Sequence, residues 1–363
     1  MTLDELIKAT SIEPRPYQKR VISRTTNHFI EDNLPSVLIE SPTGSGKTVM
    51  GLSIAKMMQE TMGISVGWVA MRRFLLSQME QENLNKGFNC KIEPISMFDK
   101  DPPKVDLLVI DEAQHDATDS CAHLHNTIKP KFILGLSATP FRSDRAKLFF
   151  QKIVKDAGIR ILIKEGWLSK FNHYSIEKWD VETVVETYLR EKEKWGKSVM
   201  FFHTIAKCME AQTLLHNSEV MSEVVLGNND KNRQIKAFHN DEIPVLINCM
   251  VLTEGFDCPS LKTVFCRDSC KGVTMQMCGR AFRKWPGIKH KNIVQSKNTK
   301  WPFTKTADPE MQYLWMKNEW RSLKLNEEIG LMQANLLWKM AHTKVTIPSI
   351  LTDKKKKQRT FRR

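Results

Sequence analysis

The stretch Ser36-Val37-Leu38-Ile39-Glu40-Ser41-Pro42-Thr43-Gly44-Ser45-Gly46-Lys47-Thr48 decides the fold of this 363-residue chain. Residues 36–40 read as a short buried strand and residues 48–60 as a helix. In the loop between them, Gly44 and Gly46 let successive backbone N–H groups turn inward without Cβ clashes. Amides gathered at a helix N-terminus suit phosphate groups. Lys47 can then reach the outer phosphates of a nucleotide, and the Thr48 hydroxyl can ligand Mg2+. The general pattern has glycine where this chain has Ser41. Pro42, Thr43 and Ser45 complete the loop.

Working outward, apolar runs alternate with amphipathic stretches. Residues 65–70 read as a strand and 73–83 as a helix. Residues 105–110 run into Asp111-Glu112-Ala113-Gln114-His115, and residues 132–136 into Ser137-Ala138-Thr139-Pro140. Strands alternating with helices imply a parallel sheet with its functional loops at the carboxyl ends of the strands. The pattern then repeats, with strands over 198–202, 222–226, 244–248 and 263–266 and helices over 205–215 and 232–240. A strand-like 173–176 and a polar helix from Asp180 lie between the two layers, and the hinge is expected near 166–180. The expected division is a first domain over 1–168, a second over 169–300, and a helical extension with a basic tail over 301–363. Within that extension Trp315, Trp320 and Trp338 fall in a segment read as helical over 309–341. Such aromatics beside basic residues can stack on unpaired bases, but at helical spacing they more often fill a core.

A hydrophobic fraction of 41% with 26% charged residues is ordinary for a soluble globular protein. No apolar run approaches the ~20 residues that span a bilayer, and residues 1–6 lack the layout of a secretory signal. A cytoplasmic protein with no membrane partner is the expectation. The net charge is +14, and half of that excess sits in residues 354–363, which hold four lysines, three arginines and no acid. A basic body with such a tail points to a polyanion, and nucleic acid is the expected one. Eight cysteines in such a chain argue against a disulfide framework. The cluster Cys258, Cys266, Cys270 and Cys278 lacks the paired knuckles of common zinc sites and reads as small buried residues.

The acidic pair follows an apolar strand, so Asp111 suits Mg2+ and Glu112 suits polarising an attacking water. In Gln276-Met277-Cys278-Gly279-Arg280-Ala281-Phe282-Arg283 the two arginines fall one helical turn apart and can face one phosphate cluster.

These segments, in this order, resemble superfamily 2 helicases and translocases over residues ~14–300. That resemblance implies an α/β chain with two tandem RecA-like domains and ATP in the cleft between them. Ser41 fits it, because that loop position is often alanine or serine in the superfamily. Arg15-Pro16-Tyr17-Gln18 resembles the adenine-contacting segment, with Gln18 as the reader of the base. The segment 72–78, with Arg72, Arg73 and Gln78, resembles the first strand-contacting motif, and His203-Thr204 its counterpart in the second domain. Leu252-Thr253-Glu254-Gly255-Phe256-Asp257 resembles the fifth motif. By that likeness Thr253 touches the nucleic-acid backbone, Gly255 lies at the nucleotide, and Asp257 meets the ribose or an arginine. Ser137 and Thr139, with Gln114 and His115, are expected to couple the ATP state to domain movement. The Thr-Glu-Gly-Phe-Asp and Ala-Thr-Pro-Phe-Arg wording is similar to the DEAH-like group, although that group's histidine position holds Gln114 here.

The implied activity is an ATP-dependent, Mg2+-dependent helicase or translocase, with DNA favoured over RNA as the track. An RNA helicase and the motor subunit of a restriction or assembly complex are the alternatives. A monomer is expected, with protein partners reaching the C-terminal extension. Deleting residues 354–363 is expected to weaken DNA binding in a salt-dependent way while basal ATPase stays intact. Unchanged affinity at low salt would refute that role for the tail.

Overall fold

The computed structural model describes residues 1–115, 119–139, 148, 150–226, 231–249, 256–323, 332 and 335. The strands are β1 (Ser36–Glu40), β2 (Val66–Ala70), β3 (Ile92–Ser96), β4 (Leu107–Asp111), β5 (Phe132–Ser137), β6 (Lys152–Lys155), β7 (Phe171–Ile176), β8 (Ser198–Phe201), β9 (Ser222–Val225), β10 (Val245–Asn248), β11 (Thr263–Phe265), β12 (Lys291–Ser296), β13 (Met311–Met316) and β14 (Glu319–Ser322). The helices are α1 (Leu3–Ala9), α2 (Pro16–Ile30), α3 (Lys47–Met62), α4 (Arg73–Asn85), α5 (Asp119–Ile128), α6 (Ile159–Lys164), α7 (Val181–Arg190), α8 (Lys192–Trp195), α9 (Ile205–Asn217), α10 (Lys231–His239) and α11 (Lys271–Gly279).

The strands form two sheets, ordered β3-β2-β4-β5-β1-β6 and β14-β13-β7-β12-β11-β8-β10-β9. Every described pairing within them is parallel except β13 with β14. Parallel strands covered on both faces must be apolar throughout, which is why they stand out as continuous runs. Alternate residues then serve opposite cores. Val37, Ile39, Trp68 and Val109 join one cluster while Leu38, Val69, Leu108 and Ile110 join another. The second sheet divides in the same way, with Val199, Phe201 and Val264 on one side and Met200, Phe202 and Phe265 on the other. Ala157, Ile159, Leu162, Ile163 and Leu168, grouped with the first domain in the sequence reading, are buried in the second core. Asp180 caps α7 by accepting from the Thr183 N–H at 2.8 Å.

The expected helix over 309–341 is not formed at its start. Residues 311–322 make the β13–β14 hairpin, which extends the second sheet beyond β7. Its turn residues Lys317 and Asn318 have φ of 49° and 61°, a left-handed pair that joins strands of native twist in a two-residue turn. Tyr313, Trp315 and Trp320 have side chains suited to a pleated surface. Tyr313 stacks on Tyr174 with ring centroids 4.8 Å apart, and Trp315 faces its cross-strand partner Trp320 at 5.0 Å. The Trp320 indole N–H donates to Glu191 Oε2 at 2.5 Å, and Arg190 lies 4.1 Å from the Trp315 ring centroid. These two tryptophans pack the hairpin onto its neighbours, as the core reading has it. Trp338 lies outside the described residues.

Trp320→Ala removes edge contacts to Tyr174 and Trp195 together with the bond to Glu191. It should cost about 2–3 kcal/mol in urea unfolding monitored by the second unit's signal. An unchanged midpoint would show that the hairpin adds nothing to the second core.

Candidate active site

The loop between β1 and α3 turns through Gly44 and Gly46, whose φ values of 79° and 81° suit glycine. It is braced from within by the Ser45 N–H donating to the Pro42 carbonyl at 3.1 Å. Ser41 Oγ donates to Ser45 Oγ at 2.7 Å, so the residue that departs from the glycine pattern serves the loop itself. From α2, the Tyr17 hydroxyl and Gln18 Nε2 both donate to the Ser45 carbonyl, at 2.7 and 2.8 Å. Gln18 Oε1 accepts from the Arg15 N–H at 2.8 Å. The expected reader of the base thus has its amide engaged at both ends by backbone, and in this structure it braces the loop.

Asp111 ends β4, and Glu112 follows it at φ 53°. A left-handed glutamate costs on the order of 1–3 kcal/mol and persists only where its surroundings over-determine it. Here Glu112 N–H donates to Asp111 Oδ1 at 3.0 Å, and Gln114 Nε2 donates to Glu112 Oε2 at 3.0 Å. Ser137 Oγ lies 2.6 Å from Gln114 Oε1 and accepts the Thr139 N–H at 3.0 Å. A continuous chain therefore runs from the acidic pair to the end of β5. His115 closes the short 3-10 turn Ala113–His115. Burial, and then the Glu112 charge, push the Asp111 carboxyl well above the usual range, against the pull of Lys47 and Arg280.

The second unit completes the pocket. Thr43, Gly44, Gly46, Lys47, Thr48, Asp111 and Glu112 share one cavity of about 670 Å³ with Asp257, Arg280 and Arg283. Arg283 is paired with Asp257, and Arg280 Nη1 donates to the Phe256 carbonyl at 3.1 Å. Gly279, at the end of α11, lies so near the loop that a Cβ there would come 3.1 Å from Thr43 Cβ. At the other end of α11, a Cβ on Gly272 would lie 3.9 Å from Thr139 Cγ2. The segment carrying Asp257 is held from below. Lys291 on β12, fully buried, donates to the carbonyls of Pro259 and Leu261 at 2.7 and 2.5 Å. Burial pushes its amine down to about 8.

The other expected residues divide. Arg15 lines the cavity. Arg72 and Arg73 stand at the carboxyl end of β2 and are not among its lining residues, whereas Gln78, grouped with them on the sequence, does line it. His203 follows β8, with Nδ1 3.3 Å from Arg267 Nη1. Burial, followed by the Arg267 and Lys207 charges, pushes its imidazole pKa down. Thr204 Oγ1 accepts the Lys207 N–H at 3.3 Å and caps α9. Gln276 lies on α11 and does not line the cavity. Thr253 and Gly255 lie outside the described residues. Cys258, Cys266 and Cys278 are buried and Cys270 is exposed.

Among the lining residues that escaped the sequence reading are Glu82, Trp167 and Lys284. Glu82, on α4, is hydrogen-bonded to the Thr48 side chain. Burial raises its carboxyl, while Arg283 and Lys86 oppose that shift. No motif marks it, since it lies on α4 beyond the segment 72–78 that carries the likeness.

Residues 11–101 match the family Type III restriction enzyme, res subunit, and residues 179–284 match the Helicase conserved C-terminal domain. The candidate ATP-dependent helicase IRC3 of Saccharomyces cerevisiae is 25% identical over 350 residues, covering 77% of this chain and 51% of its own length. A candidate mitochondrial ATP-dependent helicase, irc3 of Schizosaccharomyces pombe, is 22% identical, covering 78% of this chain and 57% of its own. The chain thus spans about half the length of these curated relatives. Among solved structures, the ATP-dependent Type ISP restriction-modification enzyme LlaBIII bound to DNA superposes with a TM-score of 0.63 at 13% identity, covering 81% of this chain and 28% of that one. S. cerevisiae Dbp5 bound to RNA and ADP BeF3 gives 0.56 at 16% identity, covering 81% and 89%. Both share the fold of two RecA-like units. Among the described residues no helix is long and apolar enough to cross a membrane. With both family matches falling on the two units that meet at this cavity, the chain belongs to the DEAD/DEAH-like helicases of superfamily 2.

Proposed function

We propose that this chain is a motor that hydrolyses ATP between its two units and moves along nucleic acid, DNA in preference to RNA. The observation that carries the reading is the shared cavity, in which Lys47 from one unit stands with Arg280 and Arg283 from the other. A polyphosphate there neutralises cations on both sides at once, so its affinity is greatest when the units are together. Glu112 is the group that takes a proton from, or orients, the attacking water. Arg280 and Arg283 stabilise the charge that builds on the transferred phosphoryl group, an effect of about 10³–10⁵ in rate for arginines so placed.

The site fits Mg2+ by its donor set, since Thr48 offers a hydroxyl and Asp111 a carboxylate to the same cavity, both hard oxygen donors. When bound, the ion would neutralise phosphate charge. The chain Glu112–Gln114–Ser137–Thr139 then links the water-activating carboxylate to the face that meets α11. Arg72, Arg73, His203 and Thr253 are the residues proposed to hold the backbone of the track. Contacts of that kind carry no base information, and tracking independent of sequence follows.

A second reading, the motor subunit of a larger restriction or assembly complex, is supported by the match of residues 11–101 to the family Type III restriction enzyme, res subunit. Robust unwinding by the isolated chain would count against it.

Lys47→Ala should abolish nucleic-acid-stimulated ATPase, lowering kcat by at least about a hundredfold. Wild-type turnover in that variant would end the motor reading. Stimulation compared across single-stranded DNA, duplex, forks, four-way junctions and RNA separates the tracks, with DNA expected to stimulate more. Gln114→Ala breaks the chain at its centre. It should leave ATP affinity near wild type while nucleic-acid stimulation falls about tenfold, a loss comparable to one hydrogen bond to a charged group. Equal stimulation in the two proteins would remove Gln114 from the coupling route.

A further inference from the structure

We infer that Trp301, with Lys271 and Lys305 over its ring, is a stacking platform for an unpaired base of single-stranded nucleic acid. The inference rests on the motor reading above and names the form of its track. Trp301 follows β12, which lies beside β11 and then β8 in the second sheet, all three parallel. Just past their carboxyl ends these strands carry Lys300 and Trp301, Arg267, and His203, respectively. Arg267 Nη1 lies 3.3 Å from His203 Nδ1, and the Lys300 charge also acts on that imidazole. One edge of the sheet therefore gathers cations beside an indole, next to a residue already proposed to hold the track.

The ring is held from within. Gln295, fully buried, donates through Nε2 to the Trp301 carbonyl at 3.3 Å and accepts the Phe303 N–H at Oε1 at 2.7 Å. Phe303 stacks on Phe282 in the second core, with ring centroids 5.2 Å apart. The Trp301 indole N–H donates to Thr306 Oγ1 at 3.2 Å. Unlike Phe303, Trp301 keeps part of its surface in solvent. Lys271 Nζ and Lys305 Nζ lie 5.5 and 5.3 Å from its ring centroid. Both lysines are exposed, so each can turn from the ring to a phosphate flanking a stacked base. An aromatic face with cations at its side binds unpaired strands whatever their sequence. A duplex keeps its bases stacked on one another, so the indole offers it no comparable contact. Lys271 opens α11 next to Gly272, where Thr139 of the first unit approaches. A strand seated on Trp301 thus lies against the helix that leads to Arg280 and Arg283.

The test is equilibrium binding of oligo(dT) and of a blunt DNA duplex with the same number of phosphates to the full chain. Trp301→Ala should weaken oligo(dT) about tenfold, the loss of one stacked base, and the duplex by less than about twofold. Trp301→Leu keeps apolar bulk without an aromatic face and should behave like the alanine variant, even if alanine fails to fold. Trp301→Phe should stay within about threefold of wild type, since an aromatic face remains. Lys305→Gln should make the log–log salt dependence of oligo(dT) binding shallower by about 0.7, whereas Trp301→Leu leaves that slope as it is. Unchanged oligo(dT) affinity in the leucine variant, or equal weakening of both ligands, would overturn the platform while the motor reading stands. A wild-type chain that binds neither DNA would overturn the motor reading itself and the platform with it.

Discussion

Cationic side chains are gathered round one gap, and the rest of the molecule depends on holding them there. Lys47, Arg280 and Arg283 share a cavity with Asp111, Glu112, Asp257 and Glu82. Like charges at this separation repel unless carboxylates or a polyanion stand among them. Arg283 rests on Asp257 of its own unit, and Lys47 lies near enough to Asp111 to stabilise its ionised form. The ends of β1 and β4 and the loops after them supply Lys47, Asp111 and Glu112, and α4 supplies Glu82. The end of α11 supplies the arginines of the second unit. Two parallel sheets with their loop edges turned to one gap therefore determine what the gap can accept.

The same edges explain how events at the acidic pair could be felt elsewhere. Glu112 carries a strained backbone and is tied through Gln114 to Ser137. Thr139, next in that chain, faces α11 across the interface. A change at the carboxylate need move only a few hydrogen bonds before it reaches the helix that leads to Arg280 and Arg283. At Gly279 an added Cβ would need Thr43 to shift by a few tenths of an ångström.

Most of this was legible because parallel strands buried on both faces announce themselves as apolar runs, and the loops after them carry distinctive residues. The phosphate loop, the Asp111–Glu112 pair and the segment ending in Arg283 were all readable in that way. The hairpin was not. Trp315 and Trp320 are five residues apart, a spacing that a helix reading tolerates, and only Asn318 hints at the left-handed turn. Glu82 and Trp167 reach the cavity through packing between distant segments, and no local pattern records such packing. Gln18 was recognised by its motif, but its hydrogen bonds depend on where Ser45 lies. The placement of 157–168 against the second core likewise follows from long-range burial of Leu162 and Leu168.

Lys291 spans the distance between the sheet interior and the turn that follows Asp257. An interior amine that satisfies two carbonyls behaves as a rivet, because releasing either one strands a polar group away from water. The fraying of this turn is therefore governed by the melting of the sheet beneath it, not by the looseness usual in surface loops. Amide exchange at Leu261 would then follow whole-unit opening, which makes this short stretch a slow clock set into the rim of the cleft.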